Sequence, residues 1–281
     1  MNAYLSDRKR LAEEHLFACL PFAGTRPAIL ADAMRHAVLS GGKRLRPILC
    51  LAAAEAAGGT ADDARCPASA VELLHTYTLV HDDLPSMDND LLRRGQPTVH
   101  AKYGEAIAVL AGDALQTLAF QTLSLTPEKT PGTLARLTLE LAVPAGHMGV
   151  IAGQVEDIQF AAAPTRDIID YVFRHKTADL FIAACRLGGI AAGATDTMLT
   201  QLSIFADGFG FAFQITDDLL DAQAAKSDTK PELSCLDVLT ETEARDWARQ
   251  HIQTALAALP GLPGDTAPLA ALAQSLLSRI E

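Results

Sequence analysis

Apolar residues recur along this chain at three- and four-residue spacing, and short Gly/Pro punctuation separates the stretches. The pattern predicts a helix over 28–40, closed by Gly41-Gly42, and a second over 47–57 with Pro47 in its first turn and Gly58-Gly59 beyond its end. A long, mostly apolar helix follows over 68–84. Pro85, Gly95 and Pro97 take residues 85–97 out of regular helix. Further helices are predicted over 104–124, over 131–160 with a bend near Pro144, and over 167–187 behind a Thr165 cap. The last three cover 196–223, the stretch from a Thr240 or Thr242 cap to Ala258, and 267–280, with a polar loop over 226–234. No stretch alternates as a half-buried strand does. The expectation is an all-α fold, a single domain over 1–281 of about ten or more helices.

Composition agrees: 49% of residues are hydrophobic but only 5% aromatic, and alanine and leucine dominate. The formal net charge of −11 argues against nonspecific binding to nucleic acid or to an anionic membrane surface. The longest stretch without Asp, Glu, Lys or Arg, 141–155, is too short to span a bilayer, so no membrane span is expected. Five scattered cysteines without C-x-x-C spacing predict neither a disulfide framework nor a zinc site, and a cytoplasmic setting.

Two aspartate clusters change the picture: H-D-D-L-P-S-M-D-N-D at 81–90 and T-D-D-L-L-D at 216–221. Each opens with an Asp-Asp pair in an apolar stretch, where a carboxylate loses hydration unless something positive sits beside it. Asp82 and Asp83 end a helix, the end that already carries partial negative charge, and a bound cation would resolve that conflict. Asp88 lies six residues on, off the face of Asp82 on a continuous helix, so Pro85 must redirect the chain if the two share an ion. Asp217 and Asp221 lie four apart, on one face. Upstream, Gly208 and Gly210 permit close helix approach. Carboxylates on two walls suit hard divalent cations, and those cations suit a phosphate-rich substrate.

Basic groups complement them. Gly41-Gly42-Lys43-Arg44-Leu45-Arg46-Pro47 places three cations in a turn before a helix, where backbone N–H groups also face an anion. Arg93-Arg94 follow the first cluster, and Lys176-Thr177 lie inside a helix.

Six segments carry a family resemblance: G-G-K-R-L-R-P at 41–47, L-V-H-D-D-L-P-S-M-D-N-D-L-L-R-R-G at 79–95, L-A-G-D-A-L-Q at 110–116, G-Q-V-E-D at 153–157, H-K-T at 175–177 and F-Q-I-T-D-D-L-L-D at 213–221. From about Met34 to Ile280 the chain resembles short-chain trans-prenyl diphosphate synthases, most closely bacterial farnesyl diphosphate synthases. The resemblance implies a homodimeric isoprenoid-synthase bundle with a central cavity between the two Asp-rich helices. It implies three Mg²⁺, two held by Asp82 and Asp88 with Asp83 in support, the third by Asp217 with Asp221 acting through water. Arg93, Lys176 and Gln214 would help hold the diphosphate of an allylic substrate, dimethylallyl or geranyl diphosphate. Lys43, Arg46, His75 and Arg94 would hold isopentenyl diphosphate, and Thr177 would stabilise the developing cation. Ionisation, condensation and proton loss follow without a nucleophile from the protein.

Product length would depend on what blocks the cavity floor. Tyr77 and Thr78 precede Asp82 by about a turn, and the bulky Tyr77 resembles enzymes that stop at fifteen carbons, at farnesyl diphosphate. Geranylgeranyl diphosphate is the alternative product. The isopentenyl subsite argues against a class I terpene cyclase, and the intact aspartates argue against an inactive partner subunit. The chain departs from the family after Asp221, where its loop is shorter and lacks glycine, with Lys226 or Lys230 in place of the usual lysine. Its C-terminal S-R-I-E is also less basic than is common.

Overall fold

The computed structural model describes residues 2–160, 164–223 and 233–280. Among them are thirteen α-helices: α1 (Asn2–Cys19), α2 (Ala28–Leu39), α3 (Leu45–Ala56), α4 (Arg65–Asp82), α5 (Val99–Tyr103), α6 (Glu105–Leu123), α7 (Thr133–Ala145), α8 (Val150–Phe160), α9 (Arg166–Val172), α10 (Asp179–Ala192), α11 (Asp196–Gln223), α12 (Glu241–Ala258) and α13 (Ala267–Leu277). The all-α expectation holds. The expected polar loop lies outside the described residues as far as residue 232, and Lys226 and Lys230 lie outside with it.

The core is built from small residues on closely spaced helices. α3 and α10 present Ala52, Ala53, Ala184, Leu187 and their neighbours to α4, all within one apolar cluster. Gly208 and Gly210 act as the sequence suggests. A Cβ on Gly208 would lie 2.4 Å from the His251 carbonyl oxygen of α12, and one on Gly210 would lie 2.7 Å from Ala178. α6 has the length and apolarity of a membrane-crossing helix. It packs on α2, α4 and α5 as a helix of the bundle.

Three elements depart from the sequence pattern. The N-terminal α1 has no amphipathic signature. It is tied down by Leu16, wholly buried, and by Tyr4 and Arg8, which both donate to Glu55 of α3. The expected bent helix over 131–160 is two helices, because the chain leaves α7 one residue after Pro144 and turns through 146–149 before α8. Residues 92–93 and 96–97 form a two-residue antiparallel hairpin around Arg94-Gly95. Both turn residues have positive φ, 54° and 75°, which matches the right-handed twist of the paired strands. The predicted caps form: Thr165 accepts from the Ile168 N–H, and Thr240 makes a capping box with Glu243. All five cysteines are free.

Candidate active site

α4 carries the first wall. Its positions 75 and 82 lie seven residues apart, on one face and about 10 Å apart along the axis. His75 thereby faces a basic cavity while Asp82 stands two turns on. After Asp82 the chain is redirected as the sequence requires: Leu84 N–H bonds His81 O, Asn89 N–H bonds Leu84 O, and the Asp88 N–H returns to the Asp82 carbonyl at 2.9 Å. Asn89 takes a left-handed φ of 58° to close this turn. Asp82 and Asp88 thus belong to one cluster, and each feels the charge of Lys176. Burial pushes the Asp82 carboxyl up to about 6; the opposing pull of Lys176 and Arg93 falls short, and Asp88 and Asp83 push it further up. Asp83, the next residue, turns away. It is buried and accepts from Arg93 Nε at 2.7 Å.

Arg93 and Arg94 therefore diverge. Arg94 donates to the Gly41 carbonyl, and its guanidinium lies against Gly42, where a side chain would have to push it aside. With Lys43, Arg46, His75 and Phe213 it lines a cavity of about 500 Å³. Arg44, the middle cation of the turn, is spent elsewhere: it is buried, bonding Glu72 at 2.8 Å and the Val38 carbonyl. Arg46 stacks over the Phe181 ring at 4.4 Å, and its buried Nε has no hydrogen-bond partner. Burial pulls Arg46 down to about 10, with Glu72 opposing and Arg94 assisting. Burial, then Arg46, Arg94, Arg93 and Arg44, hold His75 well below the usual imidazole value. Cations crowded with an unpartnered N–H describe a pocket short of an anion. Among the described residues, those other than glycine with left-handed backbone, Arg44, Asn89 and Arg94, all flank this region, as strain at functional sites does.

Lys176 and Thr177 sit in a π-helical turn, Phe173–Ala178, between α9 and α10. Gly153 of α8 lets that turn approach, since a Cβ there would lie 2.3 Å from the Lys176 nitrogen. One turn later on α8, Asp157 accepts from Lys176 Nζ. Burial would lower the Lys176 pKa, but Asp157, Asp82 and Asp88 outweigh it and hold it above the usual value. Thr177 Oγ1 donates to Gln214 Oε1 at 2.9 Å, and Gln214 Nε2 donates to Asp218 Oδ1 at 2.9 Å.

The second pair, on α11, splits differently. Asp218 is buried and also accepts from Ser234 Oγ at 3.1 Å and the Cys235 N–H at 2.7 Å. Burial raises its pKa against these hydrogen bonds. Asp217 accepts from Arg279 Nη2 at 2.7 Å, and Asp221 is exposed. Tyr77 is buried, edge-on to His81 at 5.7 Å, and its neighbour Thr78 bonds the His75 carbonyl.

Among the described residues no three His, Cys, Asp or Glu side chains converge on one point. The carboxylates stand in pairs. Such hard oxygen pairs fit a divalent cation that completes its shell with water and phosphate oxygens, and the raised Asp82 shows a wall short of positive charge. Sequence reasoning missed Asp157, Asp218 and Arg279. Asp157 was visible in the G-Q-V-E-D segment as a carboxylate one turn beyond a glycine. No sequence signal pairs Arg279 with Asp217.

An all-α chain with paired carboxylates beside a basic cavity is the frame of an isoprenoid synthase, and the comparisons agree. The polyprenyl synthetase family model matches residues 27–238. The chain is 37% identical to the heterodimeric geranylgeranyl pyrophosphate synthase large subunit 1, chloroplastic, of Arabidopsis thaliana, over 99% of this chain and 79% of the relative. It is 39% identical to geranylgeranyl pyrophosphate synthase, chloroplastic, of Capsicum annuum, over 90% of this chain and 72% of that one. Its fold matches an FPP/GFPP synthase crystal structure from Zymomonas mobilis with a TM-score of 0.88 and 33% identity, covering 99% of this chain and 100% of the other. The chain belongs to the polyprenyl synthetase family. Its chemistry is prenyl transfer.

Proposed function

We propose that this protein, as a single domain, condenses isopentenyl diphosphate with allylic diphosphates and depends on Mg²⁺, three ions per site. The observation that carries the reading is the division of charge. Cations gather in the cavity around His75, and an under-compensated carboxylate, Asp82, stands two turns away with Asp88 and Asp83 beside it. Divalent ions held by Asp82, Asp88 and Asp217 would supply the charge that makes diphosphate a leaving group. Lys176, Arg93 and Gln214 orient the allylic diphosphate. Lys43, Arg46, His75 and Arg94 hold isopentenyl diphosphate with its double bond toward the allylic carbon. Ionisation gives an allylic cation, which the Thr177 oxygen stabilises. The double bond attacks, and the proton lost from the new cation goes to the departing diphosphate. The protein's contribution is positioning, charge and exclusion of water.

The names of the relatives favour a twenty-carbon product, geranylgeranyl diphosphate, over the farnesyl product that Tyr77 suggests. The fifteen-carbon reading rests on one observation, the buried Tyr77 ring five residues before Asp82. Sizing the products made from dimethylallyl and isopentenyl diphosphates with Mg²⁺ separates the two. A twenty-carbon product supports the first reading. A stop at fifteen carbons that Tyr77→Ala extends by one unit supports the second. No elongation from any allylic primer overturns both.

A cytoplasmic homodimer completes the proposal. Leu139, Val143, Met148, Ile151, Val155 and Ile158 leave an exposed apolar face on α7, α8 and their connection that a second copy would cover.

A further inference from the structure

We propose that Arg279 is an internal stand-in for the cation at Asp217, and that metal binding on the second wall proceeds by displacing it. The inference rests on the reading of Asp217 as a metal ligand. Arg279 Nη2 donates to Asp217 Oδ1 at 2.7 Å, with side chains 28% and 30% exposed. A guanidinium bound there and a divalent ion compete for the same carboxylate oxygen.

The chain delivers this arginine by a pinned turn. Beyond α13 the Arg279 N–H bonds Leu276 O and the Ile280 N–H bonds Leu277 O. Ile280 is buried in the apolar cluster that contains Ile215 and Leu219, the α11 residues two positions either side of Asp217. Ile280 therefore anchors this turn to the same helix that carries the aspartate. The Arg279 guanidinium also lies 6.0 Å from the Phe213 ring, one turn before Asp217, and Phe213 lines the basic cavity. Displacement thus needs only a side-chain rotation along α11, with no movement of a helix.

The strength of the contact suits the role. A partly exposed pair is weak, so the arginine satisfies Asp217 without blocking a divalent ion. The first wall has no equivalent: among the described residues Lys176 bonds Asp157 rather than Asp82, and Arg93 bonds Asp83. Arg279 is in this sense a positioning residue.

The test titrates metal-free protein with Mn²⁺ alone, reading free ion by electron paramagnetic resonance. Arg279→Gln is expected to bind about three- to fivefold tighter than wild type at low salt, and Arg279→Lys to fall between them. In the wild type, Mg²⁺ should shift the Arg279 guanidinium ¹⁵N–¹H resonance with the same midpoint as binding. Unchanged or weaker affinity in Arg279→Gln, or a resonance that stays still while metal binds, overturns the proposal. Wild-type affinity in Asp217→Asn removes the metal reading of Asp217, and the inference with it.

Discussion

On α4 and on α11 an Asp-Asp pair occupies the last turns of an apolar stretch, yet the members of each pair are treated differently. On α4 the second aspartate, Asp83, takes an arginine, while the first, Asp82, is left to a lysine that bonds another carboxylate. On α11 the first aspartate, Asp217, takes an arginine, while the second, Asp218, is buried under neutral donors. In each pair one member ties the fold together, and the other is the one proposed to face the site. The difference lies in how the site-facing member is left. Asp217 is neutralised from within the chain, whereas Asp82 is held at about 6 by burial that Lys176 and Arg93 offset only in part. On the proposed reading, the first wall awaits a cation and the second exchanges one.

The comparison is tested most severely by Asp82→Asn and Asp217→Asn. Each removes a proposed ion ligand, and turnover should fall by about three orders of magnitude or more in both. Stability of the metal-free proteins at pH 7 should move in opposite directions. Asp82→Asn removes a partly buried charge that its neighbours offset only in part, and should raise the urea midpoint. Asp217→Asn loses a partly exposed ion pair and should lower stability by at most about 1 kcal/mol. Shifts of the same sign would dissolve the distinction between the walls, and near-normal turnover in either variant would remove that residue from the site.

Asp218 tests the other half of the comparison, the member that ties the fold. Asp218→Ala leaves the Cys235 N–H and the Gln214 amide without their acceptor in a buried setting, a loss of about 2–4 kcal/mol. Thr177 then loses a fixed Gln214, so turnover should fall, but far less than in Asp217→Asn. Thermal unfolding and steady-state rates measured together check both. A stable Asp218→Ala with rates as low as Asp217→Asn would make Asp218 a site residue rather than a brace.

The helices were legible because burial on one face leaves a 3.6-residue trace that survives without knowledge of partners. The Asp pairs were legible because charge in apolar sequence is costly and must be explained. What stayed hidden depends on partners distant along the chain. α1 is held by Tyr4 and Arg8 on Glu55, contacts that no local period encodes. The break after Pro144 reads from sequence only as a bend, since a proline says where regular bonding fails and not how far the next helix is displaced. The π-helical turn under Lys176 has no composition of its own and follows from packing on α8 and α11. Likewise, nothing in D-D-x-x-D distinguishes Asp217 from Asp218. The buried donors at Ser234 and Cys235 do that, from beyond the loop.

The finest test of the two walls uses pH. In the unfolded chain Asp82 titrates near 3.8, and in the metal-free fold near 6. The native state therefore keeps this proton over a window where the unfolded chain has released it. Stability from that proton is fully present below about pH 4 and is lost as pH rises through 6, amounting to roughly 2–3 kcal/mol. Other groups titrate in the same window with the opposite sign. Burial holds His251 down to about 4, so its neutral form favours the fold at pH 6 and loses that advantage as pH falls. A wild-type profile alone would mix the two. The difference between wild type and Asp82→Asn isolates Asp82. The two should unfold at nearly equal denaturant concentration near pH 4, and the variant should gain steadily until about pH 7. Mg²⁺ with inorganic pyrophosphate should erase the gap, because bound cations give the carboxylate what the metal-free fold withholds. A constant difference across the whole range would mean that Asp82 is already compensated, and the asymmetry between the walls would then have to be sought in Arg279 alone.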